Sequence, residues 1–134
     1  MFGYIYSIFL LLGRGAQNSV DLHADPVSVQ TFSTPNYPQA YNNNLYCVWN
    51  LTAPGGYRVE VTFISFATEF LFDIVRVKDG DQETSTQLGI FFGAPNVPFT
   101  QNSTETRLRI EFKSDGFFEY AGFKASYIAI QGLN

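Results

Sequence analysis

One cysteine and one histidine are all that 134 residues hold of thiol and imidazole chemistry. A Cys₄ or Cys₂His₂ zinc site within the chain is therefore excluded, because it needs four such ligands. An intrachain disulfide is excluded on the same count. Charge is scarce too: Asp, Glu, Lys and Arg together make up 15% of the chain, where an average soluble chain carries about 25%. The eight basic residues are scattered and the formal net charge is -4. Neutralising a phosphate backbone takes clustered Lys and Arg, so no nucleic-acid partner is expected. No apolar run approaches the roughly 20 residues that a membrane-spanning helix requires, so no transmembrane segment is expected.

Apolar material is abundant. Hydrophobic residues make up 46% and aromatic residues 17% of the chain, with 14 Phe, 8 Tyr and 1 Trp. A disordered chain has the opposite composition, and this length suits one domain with a dense core.

The N-terminus differs from the rest. Phe2 to Leu12 is apolar but for Gly3 and Ser7, and Gly13-Arg14-Gly15-Ala16 follows. This length and the small residues after it fit the apolar region and cleavage site of a secretory signal peptide over residues 1–16, cut after Gly15 or Ala16. The missing basic residue before the run leaves an N-terminal strand as the alternative. Two sequons, Asn50-Leu51-Thr52 and Asn102-Ser103-Thr104, add to the secretory reading. Alternation places Asn50 opposite Cys47, Trp49 and Leu51, and Asn102 falls in the polar stretch 100–106. Both asparagines are expected to carry glycans.

Along the chain the period is two. Leu108, Ile110 and Phe112 alternate with Arg107, Arg109, Glu111 and Lys113, as in a strand with one buried face. Phe123, Ala125 and Tyr127 do the same, as do Val59, Val61 and Phe63. The phase then slips at Ser65 and Phe66, which reads as a bulge. Val75 and Val77 precede Asp79-Gly80-Asp81, read as a hairpin turn and not as a ligand loop. Pro54-Gly55-Gly56, Gly93-Ala94-Pro95-Asn96 and Asp115-Gly116 punctuate the strands. No window has the helix period. The pattern predicts an all-β antiparallel sandwich, with Trp49, Leu51, Val59, Val61, Phe63, Leu108, Ile110 and Phe112 facing inward. One member each of Phe91-Phe92 and Phe117-Phe118 is expected in the core, and the other in an exposed apolar patch.

From Phe32 onward the chain resembles a CUB domain. Phe32-Ser33-Thr34-Pro35-Asn36-Tyr37-Pro38 with Tyr41 is similar to that family's S-P-N-Y-P-x-x-Y opening, with Thr34 in place of Ser. Cys47-Val48-Trp49, Ala53-Pro54-Gly55-Gly56-Tyr57, Asp73-Ile74-Val75, Asp79-Gly80, Leu88-Gly89, Gly93, Ser114-Asp115 and Gly122-Phe123-Lys124-Ala125 continue it in order. The resemblance implies a jelly-roll-like sandwich over residues 31–130, with 17–30 as a lead-in and 131–134 as a tail. It also implies secretion and use as an extracellular interaction module.

The family usually carries four cysteines in two disulfides. The resemblance places the partner of Cys47 near Asp21 or Leu22, and a second pair at Phe70 and Phe92, none of them Cys. Cys47 is then either a buried free thiol or the anchor of a bridge to a second chain. Many CUB domains also bind Ca²⁺ through a Glu and two Asp, with a Tyr hydrogen-bonded to the Glu. The matching residues are Glu69, Asp73 and Asp115, supported by Tyr41. Three carboxylates with carbonyls and water suit a hard cation that takes six to eight oxygens. The loop from Glu69 to Asp73 is shorter than is usual in the family, so three separate solvated carboxylates remain the alternative.

For function, the sequence supports a non-catalytic module that binds an extracellular protein, its Ca²⁺-organised acidic loops taking a Lys or Arg of the partner. The alternative is a stand-alone secreted coat or glycan-binding protein similar to the spermadhesins. His23 lies near the mature N-terminus as a surface residue, and no nucleophile–base pair supports an enzyme.

Overall fold

The computed structural model describes Ala16 and residues 18–132. The expected signal peptide, Ala16 apart, and the last two tail residues lie outside the described residues. The strands are β1 (Asn18–His23), β2 (Gln30–Ser33), β3 (Tyr46–Thr52), β4 (Tyr57–Ala67), β5 (Ile74–Asp79), β6 (Thr86–Phe91), β7 (Phe99–Asn102), β8 (Arg107–Lys113) and β9 (Gly122–Gln131). They form two sheets, in the orders β1-β3-β8-β5-β6 and β2-β9-β4-β7. The all-β sandwich expected from the two-residue period is the fold, and there is no helix among the described residues.

The period works because alternate side chains of facing sheets meet between them. All eight residues expected to face inward are buried. Aromatic rings fill the space. Phe63 stacks on Phe99 with ring centroids 4.8 Å apart, and Trp49 meets Phe123 edge-on at 5.3 Å. The phase slip is a bulge between Phe63 and Ser65 where β4 pairs with β9, and it turns Ile64 out to solvent.

The structure corrects or refines four readings. Residues 18–23, within the expected lead-in, form a strand that pairs parallel with β3, against the otherwise antiparallel pattern. In β3 burial is not confined to one face. Val48 is buried as well, opposite a buried Glu111 whose carboxylate accepts from Arg109 Nε at 2.7 Å. Asn102 is the last residue of β7, paired with Glu60, and is not in a loop. The hairpin expected at Asp79-Gly80-Asp81 does join antiparallel β5 and β6, but its connection, residues 80–85, is longer than a tight turn. Asp79 holds Thr104 through its N–H at 2.9 Å and its hydroxyl at 2.8 Å, and Asp81 pairs with Arg107 at 2.8 Å.

Every connection between successive strands except that from β5 to β6 passes between the sheets, and two of them build the site. Residues 68–73 carry the chain from β4 in the second sheet to β5 in the first, and residues 114–121 carry it back from β8 to β9. Both lie at one end of the sandwich, and there the expected carboxylates meet.

Candidate metal centre

Thr68 opens the first crossover. Its side chain is buried, donating to the Asp73 carbonyl at 2.8 Å and accepting from the Gly93 N–H at 3.0 Å. The segment between them turns back on itself, with the N–H groups of Phe72 and Asp73 both donating to the Glu69 carbonyl, at 3.3 and 3.1 Å. This compact turn aims Glu69 back toward Asp73. The short loop therefore does not send Glu69 elsewhere.

Asp73 is fully buried. One of its oxygens accepts from the Tyr41 hydroxyl at 2.5 Å and the other from the Asp115 N–H at 2.8 Å. Tyr41 is itself buried, edge-on to Phe112 at 4.9 Å, and its oxygen accepts from the Glu69 N–H at 3.2 Å. Tyr41 therefore supports Asp73 by donating and Glu69 only through the backbone, which corrects the expected bond to the Glu side chain. Asp115 is placed by Asn44, whose N–H donates to its carbonyl at 2.8 Å, and its carboxylate accepts from the Phe117 N–H at 3.1 Å.

The result is convergence. One carboxylate oxygen each of Glu69, Asp73 and Asp115 lies within 4.8 Å of the others. Electrostatics register the crowding. Desolvation first, then the neighbouring Asp115 and Asp73, raise the Glu69 carboxyl above its ordinary range. Burial likewise raises Asp73, although the Tyr41 and Asp115 hydrogen bonds pull it down. Burial and the bond to Asp73 push the Tyr41 phenol up, so it stays a donor. One oxygen of Glu69, Oε1, is shielded from solvent and has no hydrogen-bond partner. A shielded carboxylate oxygen without a partner is costly. An all-oxygen set of three carboxylates fits a hard cation such as Ca²⁺ and not a soft transition metal.

Around this centre the loops are apolar. Phe70, Leu71 and Phe72 follow Glu69, and Phe117, Phe118 and Tyr120 follow Asp115, all exposed. Neither Phe117 nor Phe118 is in the core, contrary to expectation, whereas Phe91 packs against it. Phe70 meets Phe92 edge-on at 5.2 Å, an aromatic contact at the two positions where the resemblance placed a second disulfide.

The other expected residues lie elsewhere. Cys47 is buried and free, and its register partner is Asn18, not Asp21 or Leu22. The Asn18 amide donates to the Cys47 sulfur at 3.8 Å, and burial pushes the thiol up to about 12. A bridge to a second chain would require Cys47 to leave the core. Asn50 and Asn102 are half-buried and each has a shielded Oδ1 with no partner. His23 is exposed at the end of β1.

Comparison with known proteins places this arrangement. The family model for the CUB domain matches residues 26–127, and the chain belongs to that family. It is 37% identical to tolloid-like protein 2 of Mus musculus over 111 residues, covering 80% of this chain and 11% of that protein. It is also 37% identical to cubilin of Homo sapiens over 100 residues, 71% of this chain and 3% of cubilin. The chain thus spans a small part of the curated relatives it matches. Among solved structures, the CUB1-EGF-CUB2 domains of rat MASP-1 superpose with a TM-score of 0.71 and 26% identity, over 84% of this chain and 42% of that one. The MASP-1 CUB2 domain bound to Ca²⁺ shares the fold, with a TM-score of 0.65 and 22% identity over 85% of this chain and 99% of that domain. CUB domains are typically non-catalytic, extracellular interaction modules. Among the described residues no helix is long and apolar enough to cross a membrane.

Proposed function

We propose that this chain is a secreted, non-catalytic module that binds an extracellular protein partner through a Ca²⁺-organised end. Glu69, Asp73 and Asp115 would hold the ion, with Tyr41 fixing Asp73. The observation that carries this reading is the shielded, unpartnered Glu69 Oε1 in a group of three carboxylates within 4.8 Å. A bound cation would remove their mutual repulsion and fix the carboxylates. The remaining negative charge would suit a Lys or Arg of the partner. A non-catalytic role agrees with a lone thiol that is buried and held protonated. The domain boundaries proposed are a signal peptide over residues 1–16 and one CUB domain that includes β1, with glycans at Asn50 and Asn102.

Calorimetry of the full chain with and without Ca²⁺ tests the site. A ligand that binds only the native state adds about 2.7 kcal/mol at a hundredfold excess over its Kd. Millimolar Ca²⁺ should raise the thermal midpoint, chelator should lower it, and Asp115→Ala should abolish the difference. Mg²⁺ should do less, since it demands a tighter octahedral shell. A midpoint indifferent to both Ca²⁺ and chelator would overturn the reading.

A further inference from the structure

Every exposed aromatic ring among the described residues lies in the two loops that bear the carboxylates. Phe70 and Phe72 are 65% and 62% exposed, Phe117 and Phe118 are 72% and 67%, and Tyr120 is 47%. Leu71, 55% exposed, sits between the first two at a φ of 70°, in the left-handed region that a Leu rarely occupies. Three consecutive large apolar residues in water are unusual in a soluble chain unless they serve binding. Backbone bonds tie both groups to the centre. The Phe72 N–H donates to the Glu69 carbonyl, the Phe117 N–H to the Asp115 carboxylate, and the Tyr120 carbonyl accepts from the Tyr41 N–H at 3.0 Å.

Within these two loops the charge has one sign, and the nearby cation, exposed Lys113 at the end of β8, lies over the Tyr46 ring at 4.6 Å. Neither residues 69–73 nor residues 115–120 contain a Lys or Arg, and exposed Glu119 adds a fourth carboxylate. One divalent cation leaves a net negative charge there. An anionic membrane would meet that charge, whereas a cationic polypeptide would complement it.

We propose that these loops dock a polypeptide segment in which a Lys or Arg is flanked by large aliphatic or aromatic side chains. The carboxylates take the cation, and Phe70, Leu71, Phe72, Phe117, Phe118 and Tyr120 form an apolar collar that takes the flanks. This rests on the reading of the end as a partner-binding site and adds what the partner must carry beside its basic residue. Rings at this height would also accept a Lys or Arg over their faces.

The test uses the full chain and two synthetic peptides of equal length and charge, one with Lys between Leu-Phe and Phe-Leu, the other with Lys between Gly-Ser and Ser-Gly. Binding is measured by fluorescence polarisation with and without Ca²⁺, and Ca²⁺ heat is read separately by calorimetry. The apolar-flanked peptide should bind at least about tenfold more tightly. The double substitution Phe117→Ser and Phe118→Ser should erase that preference, as should Leu71→Gly, which accepts the positive φ and keeps the loop's path. Both variants should keep the Ca²⁺ heat and thermal midpoint of the parent. Equal affinity for the two peptides overturns the collar, even if Ca²⁺ binds. A preference without Ca²⁺ heat keeps the collar and sinks the metal reading alone. Loss of the peptide preference together with ring-dependent binding to phosphatidylcholine–phosphatidylserine vesicles would overturn it in favour of a lipid surface.

Discussion

Glu69 and Asp73 are both raised above their ordinary carboxyl values, and each was assigned to the centre in the sequence through the family resemblance. A group whose folded value is raised binds its proton more readily in the native state than in the unfolded one. Its contribution to stability is fully present below the unfolded values, 4.5 for Glu69 and 3.8 for Asp73, and is lost as pH rises through the raised folded values. The metal-free centre therefore opposes folding most at neutral pH. Acidifying metal-free protein from about pH 7 to about pH 5 should raise the midpoint of the parent relative to Glu69→Gln, and excess Ca²⁺ should remove that difference. Parallel pH profiles for parent and variant, with and without Ca²⁺, would show that the carboxylates do not repel. At this scale, residue types indicated the ligands only through family resemblance. What no residue type revealed was the hydrogen bond of Tyr41 to Asp73 in place of Glu69, or the amide of Asn18 against Cys47. Both depend on contacts between segments distant in sequence.

Strands were most legible where one face is buried along their whole length. Val59, Val61 and Phe63 mark β4, and Ser65 marks its bulge, because a slip of one residue moves every later side chain to the other face. β1 was missed because it is an edge strand, where Val20 and Leu22 alternate with Asp21 and His23 too briefly to stand out. The same ambiguity hid the collar: an apolar residue in a loop reads alike whether it is buried or exposed. Gly122, at the start of β9, carries the sharpest local demand. Its φ is 85°, and a Cβ there would meet the Thr34 hydroxyl oxygen, which accepts from the Phe123 N–H at 3.2 Å. Left-handed backbone alone costs an L-residue about 1–2 kcal/mol, so Gly122→Ala should destabilise by more than that in chemical denaturation. Gly55 is the control. Nothing lies within 4 Å of its Cβ position and its φ is not positive. Gly55→Ala should stabilise by about 0.4–1 kcal/mol through the unfolded chain. Equal losses at the two sites would refute the assignment of strain to Gly122.

For the molecule as a whole, secretion and modification make the cleanest check. Expressed in a eukaryotic secretory system, the chain should lose its first fifteen or sixteen residues and gain glycan mass at Asn50, Asn102 or both. Intact mass, reduced and non-reduced, reports both changes and any dimer through Cys47. An unglycosylated product retaining Met1, found only in cytosol, would refute secretion. The sandwich itself was legible because its core needs only alternation. The gathering of the carboxylates was legible only through the family resemblance, since Asp73 and Asp115 are brought together by two connections that cross between sheets.

Those crossings also fix when the centre can exist during folding. The bond from the Asp115 N–H to Asp73 spans 42 residues, and that from Tyr41 to Asp73 spans 32. Contacts of such separation carry a large loop-closure cost and complete late in β-sandwich folding. A cation held there would contribute little to the transition state, so its stabilisation would fall on the unfolding rate. In stopped-flow experiments Ca²⁺ should lower the unfolding limb and leave the refolding limb where it was; a shift in refolding alone would contradict this. Such a late clasp would act as a timer on the lifetime of the folded chain.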